Sequence, residues 1–260
     1  MVNDPLSILC CPVCKNSLCT GNNNPGEKET GRCCYCVQCN RNYFSGGGII
    51  RFINDDEVRK FSRRFNFFRA VYARIYTPLT RLLFIPCGGE NKARHEVLDK
   101  LELSPGGTIL ETGIGTGDNL PFIQPFFGSG IYVGLDNQQR MLNACRKKLK
   151  RLEMDAELHL ANAEQLPYKD EVFDVVFHLG AFNLFSNKKQ ALEEMIRVAK
   201  PGTRIVIADE TEKACQLFSI LLGKQEPVIL PDYLVPDSML EKKLEIIWNG
   251  YGYLLSFRKP

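Results

Sequence analysis

Between residue 89 and residue 260 the chain alternates short, continuous apolar runs with longer amphipathic stretches. The short runs are TILET (108–112), IYVGLD (131–136), AELHLA (156–161), FDVVFHL (173–179) and TRIVIAD (203–209). Their β-branched and aromatic content without polar alternation predicts strands buried on both faces, the mark of a parallel sheet covered by helices. QQRMLNACRKKLKRL and NKKQALEEMIRVAK read as helices between them. In the second, Ala191, Leu192, Met195, Ile196 and Ala199 fall on one stripe, and Pro201-Gly202 ends it. The closing LEIIWNGYGYLLSFRKP reads as two strands joined by a tight Asn249-Gly250 turn, an antiparallel hairpin. The fold class expected is therefore α/β: a Rossmann-like, doubly wound sheet, mostly parallel, with a C-terminal antiparallel hairpin.

The first 54 residues break this pattern. Eight of the eleven cysteines lie between Cys10 and Cys39, around a polar insert, TGNNNPGEKETGR (20–32), that reads as a hairpin tip. Cys11-Pro-Val-Cys14 and Cys36-Val-Gln-Cys39 are two C-x-x-C pairs, each able to form one knuckle, at the spacing of a Cys₄ zinc ribbon. Cys11, Cys14, Cys36 and Cys39 are the expected ligands, with Cys10, Cys19, Cys33 and Cys34 flanking them. A structural Zn2+ would also let so short a segment fold. The N-terminus has an acid where a signal peptide is basic and no apolar run near ~18 residues, so an intracellular, cytoplasmic protein is expected.

Residues 55–88 form a third zone. From Glu57 to Pro86 there are seven Lys or Arg and one acid, a local charge of +6 against +3 for the whole chain. Phe61, Phe65, Phe68, Tyr72, Ile75 and Leu79 make one helical stripe, with Arg59, Arg63 and Arg74 away from it and Pro78 as a break. Three readings stand: a linker helix that packs its stripe on the neighbouring domain, a peripheral contact with an anionic membrane surface that admits a lipid-like substrate, or an RNA-tracking segment. The expected division is thus a zinc ribbon over 1–54, a connecting helix or lid over 55–88 and the α/β domain over 89–260.

The candidate chemistry begins at ETGIGTG (111–117), after the strand 108–112 and before a helix. Gly113, Gly115 and Gly117 let the backbone turn sharply, but Asp118 stands where a dinucleotide G-x-G-x-x-G needs its spacing continued. Glu111 at the strand end would repel a pyrophosphate and attract an ammonium or sulfonium. S-Adenosylmethionine carries both. Asp136, at the end of the next strand, suits a carboxylate that binds ribose hydroxyls.

Four segments resemble class I S-adenosylmethionine-dependent methyltransferases: ETGIGTG, VGLDNQQRML, NAEQLPYKDEVFDVV and RVAKPGTRIVI, in the family's order. The resemblance implies that Glu111 and the glycines hold the methionine end and Asp136 the ribose. It also implies that Asn137 and Met141 flank the adenine, with Asn162, Ala163 and Glu164 at its edge. Asn162 stands where the family usually has Asp, and Thr112 where it has an apolar residue. CPVCKNSL and CVQCNRNYFSGGGIIRF resemble the zinc ribbons fused in front of some of these enzymes and the zinc-binding activator subunit of tRNA and release-factor methyltransferases. VYARIYTPLTRLLF ahead of the glycine loop is similar to phosphatidylethanolamine N-methyltransferases and ubiquinone/menaquinone-biosynthesis methyltransferases, implying a small-molecule or lipid-like acceptor of the quinone or phospholipid class. The alternatives are an rRNA guanine methyltransferase, whose ribbon and basic segment bind RNA, and a non-catalytic zinc-bearing partner subunit.

Methyl transfer from a sulfonium is governed by alignment, and a base is needed only for an acceptor that arrives protonated. His178 is the candidate base, with a cofactor-lining role as the plainer alternative, and Asn183 is a candidate for positioning substrate. His95, His159, Cys145 and Cys215 are expected to be structural. The acceptor atom and the oligomeric state are not written in the sequence.

Overall fold

The computed structural model describes residues 5–20, 34–54, 82, 84–222 and 227–260. Most of the polar insert and nearly all of the basic aromatic zone lie outside the described residues. The strands are β1 (Cys19–Thr20), β2 (Cys34–Cys36), β3 (Arg41–Gly46), β4 (Ile49–Arg51), β5 (Thr108–Thr112), β6 (Ile131–Asp136), β7 (Glu157–Leu160), β8 (Val175–Leu179), β9 (Arg204–Glu210), β10 (Leu240–Ile247) and β11 (Gly252–Arg258). The helices are α1 (Glu90–Leu98), α2 (Leu120–Phe127), α3 (Gln139–Leu152), α4 (Lys188–Val198) and α5 (Glu212–Leu222).

All five expected parallel strands form. They stand in the order β7-β6-β5-β8-β9, and β11 and β10 continue the sheet antiparallel. The chain runs outward from β5 to β7, then returns to the other side of β5 as β8. That reversal is the topological switch point where open α/β sheets hold ligands, at the carboxyl ends of β5 and β8. β5 is buried at every position, as its unbroken apolar run requires.

α3 buries Met141, Leu142, Cys145 and Leu149 on one stripe and ends at Glu153, whose φ of 54° stops the right-handed helix. α4 is capped by Asn187, whose side chain accepts from the Gln190 amide at 3.1 Å. It buries Ala191, Leu192, Met195 and Val198 and, unexpectedly for a helix stripe, Glu194.

Two features depart from the sequence pattern. The strands β10 and β11 pair as far as Ile247↔Gly252, so four residues, not two, connect them. Trp248 and Asn249 both take left-handed backbone, with φ of 54° and 56°. Bulky residues avoid that region. Here the turn drives the Trp248 indole inward, where Nε1 donates to the Ala93 carbonyl at 2.9 Å and the ring meets Phe84 edge-on at 5.5 Å. The second departure is in the cysteine-rich segment: β4 pairs in parallel with β7, Ile49 to Leu158 through Arg51 to Leu160. β1 to β4 therefore extend the central sheet to eleven strands. Among the described residues, no helix is long and apolar enough to cross a membrane.

Candidate functional site

The expected cofactor residues gather at the carboxyl ends of three neighbouring strands. Glu111 lies on β5, Asp136 ends β6, and Asn162, Ala163 and Glu164 follow β7. Asn137 precedes α3 and Met141 lies in its first turn.

Glu111 is 1% exposed. One carboxylate oxygen accepts from Asn119 Nδ2 at 2.6 Å and the other from the Tyr132 hydroxyl. Asn119 in turn accepts from Arg94, whose guanidinium also pairs with Glu90 at 3.0 Å. Burial pushes the Glu111 carboxyl up to about 7, although Tyr132 and Asn119 pull it down. The Arg94 guanidinium acts on this carboxylate from behind Asn119, but its two direct partners are neutral, and an ammonium group is a suitable direct partner for it.

The glycines serve different ends. Gly113 has a φ of 74°, and a Cβ there would lie 2.9 Å from His178 Cε1. A Cβ on Gly117 would lie 2.6 Å from Cys145 Sγ on α3. At both positions the protein's own packing demands glycine, whereas the space beside Gly115 is open. The loop is tied to β6 by the Gly113 and Ile114 amides, which donate to the Leu135 carbonyl at 2.8 and 2.9 Å. The Gly115 amide donates to Asp136 at 3.1 Å, and Gln138 donates to the same carboxylate at 2.8 Å. Burial raises Asp136 to about 6 against these amides. Asn162 Oδ1 accepts from the Glu164 amide at 3.0 Å, an Asx turn that fixes the side chain and leaves the oxygen's second lone pair and Nδ2 for a ligand.

His178 and Asn183 are not placed like catalytic groups. His178 is fully buried beneath the glycine loop, stacked edge-on against Phe185 at 4.9 Å. Nδ1 donates to the Thr112 carbonyl at 2.6 Å, and burial lowers the imidazole to about 4, so the ring is neutral. The Thr112 hydroxyl also lies 3.2 Å from Nδ1. The Asn183 side chain is spent on the Glu210 carbonyl at 2.9 Å and the Tyr253 hydroxyl at 3.3 Å. The Ala181 and Asn183 amides both donate to buried Asp209, at 2.8 and 2.5 Å, which fixes the loop after β8.

A cleft opens between Glu111 and Gly113 on one side and Leu179, Glu210, Trp248 and Tyr251 on the other. Phe84 and Arg94 line it as well. Arg94, Asn119, Tyr132 and Trp248 were not legible as site residues. A tyrosine hydroxyl in a fully buried strand does need a partner, which is the signal that Tyr132 offers.

In the cysteine-rich segment, the Sγ atoms of Cys11, Cys14, Cys36 and Cys39 all lie within 4.8 Å of one another. Four soft thiolates in that array fit tetrahedral zinc. Each C-x-x-C pair is followed by a left-handed residue, Lys15 with φ 60° and Asn40 with φ 50°. The Lys15 amide closes its turn on the Cys11 carbonyl at 2.8 Å. Tyr43 lies 3.2 Å from Cys11 Sγ and Asn16 Nδ2 donates to Cys14 Sγ at 3.3 Å, the kind of outer contact that orients ligands.

The profile of a methyltransferase-domain family matches residues 109–202. The ubiquinone/menaquinone biosynthesis C-methyltransferase UbiE of Vibrio parahaemolyticus is 37% identical over 130 residues, 49% of this chain and 50% of that protein. Its counterpart in Blochmanniella floridana is 31% identical over 138 residues, 52% of this chain and 54% of that protein. The chain thus spans about half the length of these curated relatives. Phosphoethanolamine N-methyltransferase 2 of Haemonchus contortus, solved with phosphomonomethylethanolamine and S-adenosylhomocysteine, superposes with a TM-score of 0.61 at 14% identity, over 78% of this chain and 60% of that one.

Proposed function

We propose that the chain carries a class I methyltransferase domain and acts as an S-adenosylmethionine-dependent methyltransferase on a small-molecule or lipid-like acceptor. The observation that carries this reading is Glu111. A buried carboxylate, raised to about 7 and flanked by an open glycine turn, suits the cationic end of this cofactor and opposes a phosphate.

S-Adenosylmethionine, when bound, supplies an already activated methyl group on a sulfonium. Glu111 would receive the ammonium, with Asn119 and Tyr132 keeping its oxygens in place. Asp136, pinned by two loop amides, would accept from the ribose hydroxyls. Asn137 and Met141 would flank the adenine, and the Asn162–Glu164 turn would meet its edge. Across the cleft, Phe84, Trp248 and Tyr251 offer apolar ring surface for an acceptor, so alignment, not acid–base chemistry, would be this chain's main contribution. His178 would serve as a neutral support under the loop. The zinc would be structural, holding the two knuckles and touching no methyl group.

The quinone-methylating relatives support a quinone or phospholipid acceptor over RNA. The basic segment 57–86, for which a packed linker, a membrane contact and an RNA-tracking role are the three readings, lies almost wholly outside the described residues. Calorimetry with S-adenosylhomocysteine tests the cofactor. Labelled methyl transfer into a cell extract, split into lipid, RNA and protein, tests the acceptor: label in the lipid fraction is expected. Label confined to RNA would overturn the acceptor, and no label with no binding would overturn the enzyme.

A further inference from the structure

We propose that Lys15 is a positioning residue through which the four-cysteine knuckle sets the wall that receives the adenine. The proposal rests on the cofactor reading above. Lys15 follows Cys14 directly, and its left-handed backbone and its amide bond to the Cys11 carbonyl make its position a property of the knuckle. Its side chain leaves the ribbon. Nζ donates to Glu194 Oε2 at 2.6 Å and to the Leu166 carbonyl at 3.1 Å.

Glu194 Oε2 also accepts from the Leu166 amide at 2.7 Å. Both backbone groups of Leu166 are therefore held by one clamp, half of it from the ribbon and half from α4. Arg197 completes it, donating to Glu194 Oε1 at 2.7 Å, to the Leu166 carbonyl at 3.3 Å and to the Tyr168 carbonyl at 2.7 Å. Leu166 closes the turn expected at the adenine edge, in which the Gln165 amide donates to the Asn162 carbonyl at 3.0 Å. The next residue is tied as well: the Cys10 amide donates to the Pro167 carbonyl at 3.0 Å, one residue before the first ligand. The Glu194 side chain is 8% exposed, so it cannot exchange Lys15 for water without moving. The Lys15 side chain is 33% exposed, so it is the buried Glu194 end and the contact of both partners with the Leu166 backbone that distinguish this pair from a surface ion pair, which would leave the turn indifferent.

The coupling is reciprocal by thermodynamic necessity: if the knuckle orders the turn, a ligand on the turn must stabilise the knuckle. Calorimetry on the zinc-loaded full chain should show S-adenosylhomocysteine and adenosine weakened by the same factor, about tenfold, in Lys15→Ala, and largely restored in Lys15→Arg. In the wild type, S-adenosylhomocysteine should slow zinc release to a chromogenic chelator, and Lys15→Ala should abolish that protection. A pair that only joins two parts of the fold would lower Tm and leave both affinities within about twofold, which overturns the proposal. Wild-type protein that binds no S-adenosylhomocysteine overturns instead the cofactor reading beneath it. Should Lys15→Ala fail to fold, hydrogen exchange on the wild type decides: S-adenosylhomocysteine must protect the amides of Lys15 and Leu166 together, and protection of Leu166 alone refutes the link.

Discussion

Replacing Glu111 by Gln should stabilise the cofactor-free protein and weaken its hold on the cofactor. Burial raises this carboxyl from 4.5 to about 7, about 2.5 pH units, which corresponds to on the order of 3 kcal/mol. Between those two values the unfolded chain has released a proton that the folded chain keeps, so stability falls as pH rises, and the full cost is reached above about 7. Gln carries no charge; its oxygen can accept from Asn119, and its amide can face Tyr132 if the hydroxyl turns from donor to acceptor. Urea unfolding at pH 5 and pH 8 isolates the effect, because Asp136, raised to about 6, contributes the same slope to both proteins. The advantage of Gln should grow from about 1 kcal/mol at pH 5 to on the order of 3 kcal/mol at pH 8. Affinity runs the other way. Ionised Glu111 is the form that receives an ammonium, so wild-type binding of S-adenosylhomocysteine should tighten from pH 5.5 to 8. The Gln variant should lose roughly 10- to 150-fold at pH 8, the equivalent of a hydrogen bond to a charged group. A wild-type stability that does not decline relative to Gln, or equal affinities at pH 8, would refute the argument.

Asp136→Ala leaves the Gly115 and Gln138 amides without an acceptor and should weaken S-adenosylhomocysteine by at least about tenfold in calorimetry; unchanged affinity would count against the ribose placement. His178→Leu should keep kcat within about tenfold, because the ring is shut away from the cleft and burial leaves it weakly basic; a loss beyond ~100-fold with cofactor affinity intact would make it a base after all. Trp248→Ala should cost about 3–5 kcal/mol in urea unfolding, since it empties a buried indole site and removes the Nε1 bond to the Ala93 carbonyl. Metal analysis should find about one zinc per chain, and Cys36→Ser should abolish it and lower Tm.

The residues whose place in the sheet was legible in the sequence are those whose position follows from a local pattern. Glu111 and Asp136 end apolar runs, and a run that ends fixes where its last residue stands in a parallel sheet. The four cysteines declare themselves by spacing. What surrounds them does not: Asn119 and Tyr132 reach Glu111 from 8 and 21 residues away with no period to link them. Lys15 and Glu194 are 179 residues apart, and a lysine after a knuckle or a glutamate on a helix suggests solvent. At the hairpin, Asn249-Gly250 is a sound signal for a two-residue turn, but the buried indole of Trp248 overrides it. The catalytic suggestion for His178 followed its strand-end position, and only packing reveals that Gly113 sits directly over the ring.

The pairing of β4 with β7 has a consequence for handling the protein. A bare β7 would offer an unpaired row of amides and carbonyls on a strand buried at Leu158, His159 and Leu160, a ready template for a foreign strand. The cysteine-rich segment occupies that row. Cutting it away to obtain a minimal α/β fragment would leave a sheet that adds strands from its own copies, and such a fragment should aggregate even with its cofactor loop untouched.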